Sequence, residues 1–95
     1  MKFRKKPIEI EAVQMPSRAG DFTRAPQWLK DAIAAETVYY ISPGDFAVKT
    51  ADGVMEGRSG DWIIQGIEGE LYPCKRTIFE ATYERAPTGI PLVGS

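Results

Sequence analysis

Two stretches of this 95-residue chain say nearly the same thing. "PGDFAVKTADGVMEG" covers residues 43–57 and "SGDWIIQGIEGELYP" covers residues 59–73. Gly60 falls on Gly44, Asp61 on Asp45, Trp62 on Phe46, Ile64 on Val48, Glu68 on Asp52, Gly69 on Gly53 and Leu71 on Met55. Each copy carries a turn signal, Asp52-Gly53 and Glu68-Gly69. Asp-Gly is among the strongest signals for a two-residue hairpin loop, where both turn positions need positive φ, and Glu-Gly is a weaker one. The repeat therefore predicts two consecutive hairpins. With two-residue loops, Ala51 faces Val54, Thr50 faces Met55 and Lys49 faces Glu56 in the first. In the second, Ile67 faces Glu70, Gly66 faces Leu71 and Gln65 faces Tyr72. Side chains alternate along a strand, so Phe46, Val48 and Met55 share one face, and Trp62, Ile64 and Leu71 share the matching one. The two hairpins are expected to bury these faces in one core, with Tyr72 and Cys74 on the face opposite Trp62.

The remaining segments read as companions of that core. "PIEIEAVQM", residues 7–15, alternates: Ile8, Ile10 and Ala12 lie on one face and Glu9 and Glu11 on the other, as in a half-buried strand. In "APQWLKDAIAAE", Trp28, Leu29, Ala32 and Ile33 fall on one side of a helix, with Pro26 in its first turn and Asp21 or Thr23 as cap. "TVYYI" has strand composition and "SPGD" ends it as a turn. "KRTIFEATYERA" fits either period. The favoured reading is a helical turn over 76–79, then a strand over 80–85 that pairs with Ile8–Met15 and closes the sheet. The expected architecture is α+β: one domain over residues 1–85, with a strongly bent, mostly antiparallel sheet, barrel-like if it closes, two consecutive hairpins and one covering helix. Trp28, Leu29 and Ile33 of that helix should meet Phe46, Val48, Trp62 and Ile64. Residues 86–95, with two prolines and two glycines, read as a loose tail.

The chemistry is bounded mostly by what the chain lacks. The net charge of −1 argues against a nucleic-acid partner, which usually demands a basic excess. The run Lys2, Arg4, Lys5 and Lys6 reads as a solvated arm. Cys74 is alone, so no internal disulfide or cysteine metal cluster forms within the chain, and a reducing cytoplasm is the natural compartment. "PIEIEAVQM" is not a secretory signal, and no run approaches the roughly 20 apolar residues that cross a bilayer. There is no histidine and no phosphate loop, so no catalytic residue, metal or cofactor is assigned. Asp45 and Asp61 could be paired carboxylates, but the simpler role is to satisfy backbone N–H groups in turns. "YPCKR" is the most suggestive string. Tyr72 could stack on a small anionic ligand such as a nucleotide while Lys75 and Arg76 neutralise its charge, and two cations beside Cys74 would lower the thiol pKa. The favoured reading is the simpler one: a strand end with solvated cations and a small, buried, structural cysteine.

The two ends of the chain carry a resemblance. "MKFRKKPIEIEAVQM" and "GDWIIQGIEGELYPCKRTIFEATYE" resemble a widespread family of small bacteriophage and prophage proteins. Its members begin with a Met-Lys-Phe-Arg-Lys-Lys-Pro strand leading to Glu-Ala-Val-Gln. They end with Gly-Asp-Trp-Ile-Ile, Gly-Glu, Tyr-Pro-Cys-Lys, Ile-Phe-Glu and Thr-Tyr-Glu. The match covers residues 1–14 and 60–84, about two fifths of the chain. Met15 stands where the family usually has an aromatic residue. The resemblance implies phage origin and a bacterial cytoplasm, and it brings no catalytic residues. Three functions follow in descending order: a non-catalytic accessory or interaction protein, oligomeric through a strand edge; a binder that sequesters a nucleotide-like host signal; and an enzyme.

Overall fold

The computed structural model describes residues 1–3, 9–16, 22, 24–85 and 91–93, with backbone alone for 84, 85 and 91–93. In chain order the elements are β1 (Glu11–Gln14), α1 (Gln27–Ala34), β2 (Val38–Ser42), β3 (Asp45–Thr50), β4 (Gly53–Arg58), β5 (Trp62–Gln65), β6 (Leu71–Cys74), α2 (Arg76–Thr82), β7 (Tyr83–Arg85) and β8 (Pro91–Val93). The α+β class and the antiparallel pairing are as expected. The single bent sheet is not. Two three-stranded sheets, β1-β5-β6 and β2-β3-β4, accompany a small β7-β8 pair, and no barrel closes among the described residues. Among the described residues there are two helices rather than one.

Helix α1 follows Pro26, whose carbonyl accepts from the Leu29 and Lys30 N–H groups. No side chain caps it among the described residues, and Asp21 and Thr23 lie outside them. Its C-terminus closes as a Schellman motif: Thr37 N–H donates to the Ala32 carbonyl and Glu36 N–H to the Ile33 carbonyl. Glu36 occupies the left-handed position, φ 61°, that glycine usually fills.

Both predicted hairpins exist, but their loops differ from expectation. In β3–β4, Thr50 pairs with Gly53, Val48 with Met55 and Phe46 with Gly57. The loop is Ala51-Asp52, and Gly53 beyond it carries the positive φ of 117°. The register moves by two, an even step that leaves every side chain on its expected face. In β5–β6, Gln65 pairs with Leu71, Ile64 with Tyr72 and Trp62 with Cys74. The loop is residues 66–70, closed by a Gly66 N–H to Glu70 carbonyl bond of 2.8 Å, with Gly69 at φ 86°. This register moves by one relative to the two-residue loop, so the strands meet with opposite faces. Tyr72 and Cys74 therefore share the face of Trp62, and the expectation that they oppose it is corrected.

The described residues accordingly form two hydrophobic clusters instead of one. The larger joins Met15, Leu29, Ala32, Val38, Phe46, Val48 and Ile63, with Trp28, Ile33 and Leu71 packed against it. The smaller joins Ile10, Ile64 and Phe79, with Trp62, Tyr72, Cys74 and Tyr83 around them. Phe46 and Trp62 thus point into different clusters. Helix α1 meets Phe46 and Val48 as expected, but it is Ile63, not Trp62 or Ile64, that joins them. Strand β5 is covered on both faces, which is why Trp62-Ile63-Ile64 reads as an unbroken apolar run.

The C-terminal segment is also reassigned. Helix α2 runs through Thr82, so the strand begins at Tyr83 and pairs with β8 rather than with β1. Strand β1 pairs with β5. Ile8 and residues 86–90, 94 and 95 lie outside the described residues.

Candidate functional site

The turn between β4 and β5 organises the region around "YPCKR". Asp61 N–H donates to the Arg58 carbonyl at 2.9 Å, and Gly60 takes φ 94°. The turn aims the Asp61 carboxylate in two directions. Oδ2 accepts from Arg58 N–H at 3.0 Å, and Oδ1 accepts from Arg76 N–H at 3.0 Å. Helix α2 receives no side-chain cap from its own preceding residue, Lys75. Asp61 supplies that cap from the β4–β5 turn, using its negative charge against unpaired N–H groups at a helix start. The turn role expected for Asp61 is present, and the long-range bond to Arg76 is additional. Asp45 differs: its carboxylate accepts from the Ser42 hydroxyl at 3.1 Å. Asp61→Ala is expected to cost about 1 kcal/mol, the usual size of a lost cap. Urea unfolding measures it, and amide exchange at Arg76 and Thr77 should quicken.

An open groove of about 810 Å³ lies beside this turn. Met55, Glu56, Gly57 and Arg58 line it from β4, and residues 73–77 line it from β6 and α2. Of the residues singled out in the sequence, Cys74, Lys75 and Arg76 come together here. Tyr72 does not: it lines a second groove of about 640 Å³ with Trp28, Asp31 and Lys49. The first groove sets Arg58, Lys75 and Arg76 against Asp45, Glu56 and Asp61, so its charges balance. Arg76 is further occupied by Glu80, Nε to Oε1 at 3.3 Å, an exposed pair worth a few tenths of a kcal/mol.

The thiol is not activated. Burial first, and then the Asp61 charge, push the Cys74 pKa up. Lys75 and Arg76 do not lower it, which goes against the activated-thiol alternative. Cys74 Sγ donates to the Lys75 carbonyl at 3.7 Å. Burial also raises the Tyr72 phenol to about 12, with Tyr83 as the next cause. Both groups are held protonated in the fold beyond their ordinary values. The unfolded chain therefore releases these protons at lower pH, and the native state binds more of them. Stability from Tyr72 is full below its ordinary value of 10 and is lost as pH rises through about 12, and Cys74 acts in the same direction from its own ordinary value of 9 upwards. Denaturant midpoints across this range should fall, and Tyr72→Phe should flatten the fall.

Sequence reasoning missed β4 as a surface. Val54 and Met55 are 57 % and 45 % exposed, although strand alternation places Met55 on the core face. The signal available was position: β4 is the last strand of its meander. Among the described residues no cluster of three or more His, Cys, Asp or Glu could hold a metal, and no helix is long and apolar enough to cross a membrane. Neither a family model, nor a curated protein, nor a solved structure matches the chain.

Proposed function

We propose that the chain is a non-catalytic interaction protein of a bacteriophage or prophage, acting in the bacterial cytoplasm through an unpaired strand edge. The phage origin rests on the resemblance at residues 1–14 and 60–84. One observation supports the strand-edge reading. Lys49 N–H donates to the Thr37 carbonyl, so the Lys49 backbone points towards β2 and away from β4. Val54, opposite Lys49, then points its own N–H and C=O away from β3, and so do Glu56 and Arg58. Arg58 is satisfied by Asp61 on both groups. Val54 and Glu56 have no backbone partner at their outer edge among the described residues.

The other outer strands are less available. Strand β2 is interrupted by a bulge between Tyr40 and Ser42, β6 carries Pro73, and β1 has four residues against six in β4. Bulges, prolines and short length are the usual protections of an edge. Sequestration of a nucleotide by Tyr72, Cys74, Lys75 and Arg76 has less behind it, because the groove is charge-balanced and Tyr72 lies on another.

Glu56→Pro tests the reading. Proline is tolerated at an edge position whose N–H faces outward, so the fold should persist by circular dichroism. Association, with itself or with proteins of a bacterial host, should be lost in sedimentation and affinity capture. A folded variant that keeps every association of the parent would contradict the proposal.

A further inference from the structure

We infer that the partner at the β4 edge is a second copy of this chain, paired antiparallel about a two-fold axis through Met55. The inference rests on the strand-edge reading above and names its occupant. In an isologous strand pair, one register fixes all contacts, and only some registers bring outward-facing residues together. Setting Val54 opposite the second copy's Glu56 joins the two residues whose backbone groups lack partners. Each exchanges both an N–H and a C=O with the other, twice over, so none of these groups is left unpaired.

The neighbouring registers fail on residues already described. Glu56 opposite Glu56 places like charges face to face, which destabilises a strand pair. It also sets Val54 against Arg58, whose N–H already donates to Asp61. Val54 opposite Val54 puts Glu56 against Asp52, again like charges. Glu56 opposite Arg58 competes with Asp61 for the same N–H. The favoured register instead places Arg58 opposite the second copy's Asp52 at both ends. Neither residue has an ion-pair partner within the chain among the described residues. At the axis, the half-exposed Met55 side chains cover each other. The result is a continuous six-stranded sheet, β2-β3-β4 running into its copy.

The register is readable by cysteine pairing. Met55 and its copy form a non-hydrogen-bonded pair with Cα atoms about 4.5 Å apart, within the range of roughly 4.4–6.8 Å that a disulfide spans. Val54 and its copy, or Glu56 and its copy, are diagonal neighbours at about 7–8 Å. In a Cys74→Ala background, mild oxidation of Met55→Cys should convert most of the chain to a disulfide dimer on a non-reducing gel. Val54→Cys and Glu56→Cys should each stay at background alone and cross-link when mixed. The parent chain should sediment with an average mass that rises from monomer towards dimer with concentration. A parent that stays monomeric throughout, or cross-linking strongest at Glu56→Cys alone, would overturn this pairing. A monomeric parent whose capture of a host protein is abolished by Glu56→Pro would leave the strand-edge reading standing without this occupant.

Discussion

Phe46→Ala is expected to remove roughly 3–5 kcal/mol of stability, the usual range for emptying a buried aromatic site. Domains have about 5–15 kcal/mol in total, so the variant should be marginal or unfolded. The side chain is fully buried in the larger cluster, which joins residues of the sheets and of α1. Its other neighbour is Gly57, directly across the ladder. A Cβ placed on Gly57 would lie 2.5 Å from Phe46 Cζ and 2.9 Å from Cε1. Gly57→Ala should therefore cost about 1–3 kcal/mol by overpacking against a rigid ring. The two sites share one space, so their effects should not add. Phe46→Leu with Gly57→Ala should be more stable than the sum of the single variants, by a coupling of roughly 0.5–3 kcal/mol. Urea titrations of the four chains measure it.

Phe79→Ala carries the second large effect, again roughly 3–5 kcal/mol. Phe79 is the one buried residue of α2. Its ring stacks on Trp62 at 4.1 Å between centroids, with planes 12° apart, and on Tyr83 at 4.8 Å. This aromatic column holds α2 on the sheet, with the Asp61 cap as a smaller contribution. Losing it should expose Trp62, visible as a red shift in tryptophan emission. Ile78→Ala on the same helix is the control. Ile78 is 54 % exposed, so its loss should stay within about 0.5 kcal/mol.

The strands and the first helix were legible because alternation and helical spacing are local. Turn residues also revealed two hairpins. They did not reveal loop lengths, and here parity decided the outcome. In β3–β4 the loop differed by an even step, and Phe46 and Val48 kept their faces. In β5–β6 five residues loop where two were expected, and Tyr72 and Cys74 moved to the face of Trp62. The similarity of the copies also misled: Ile63 has no apolar counterpart larger than Ala47, yet Ile63 carries β5 into the main core. Helix α2 was obscured because Phe79, Ala81 and Tyr83 alternate as in a strand, although the first two are helical and Tyr83 begins β7. At the site, proximity in sequence brought Cys74, Lys75 and Arg76 together correctly. It could not show that Asp61 reaches Arg76, nor that Tyr72 lines the other groove, since both follow from the register.

That register sets the face of Trp62, the place of Asp61 beneath α2 and the direction of Tyr72, so its measurement is the most direct test. The Gly66–Glu70 hydrogen bond makes Gln65–Leu71 and Ile63–Pro73 non-hydrogen-bonded pairs, whose α-protons lie closest across an antiparallel ladder. A nuclear Overhauser spectrum should show strong contacts between the α-protons of Gln65 and Leu71 and of Ile63 and Pro73. Strong α-proton contacts between Gly66 and Leu71 or between Ile64 and Pro73 would instead mean a ladder one residue out of step, with Trp62 and Cys74 on opposite faces.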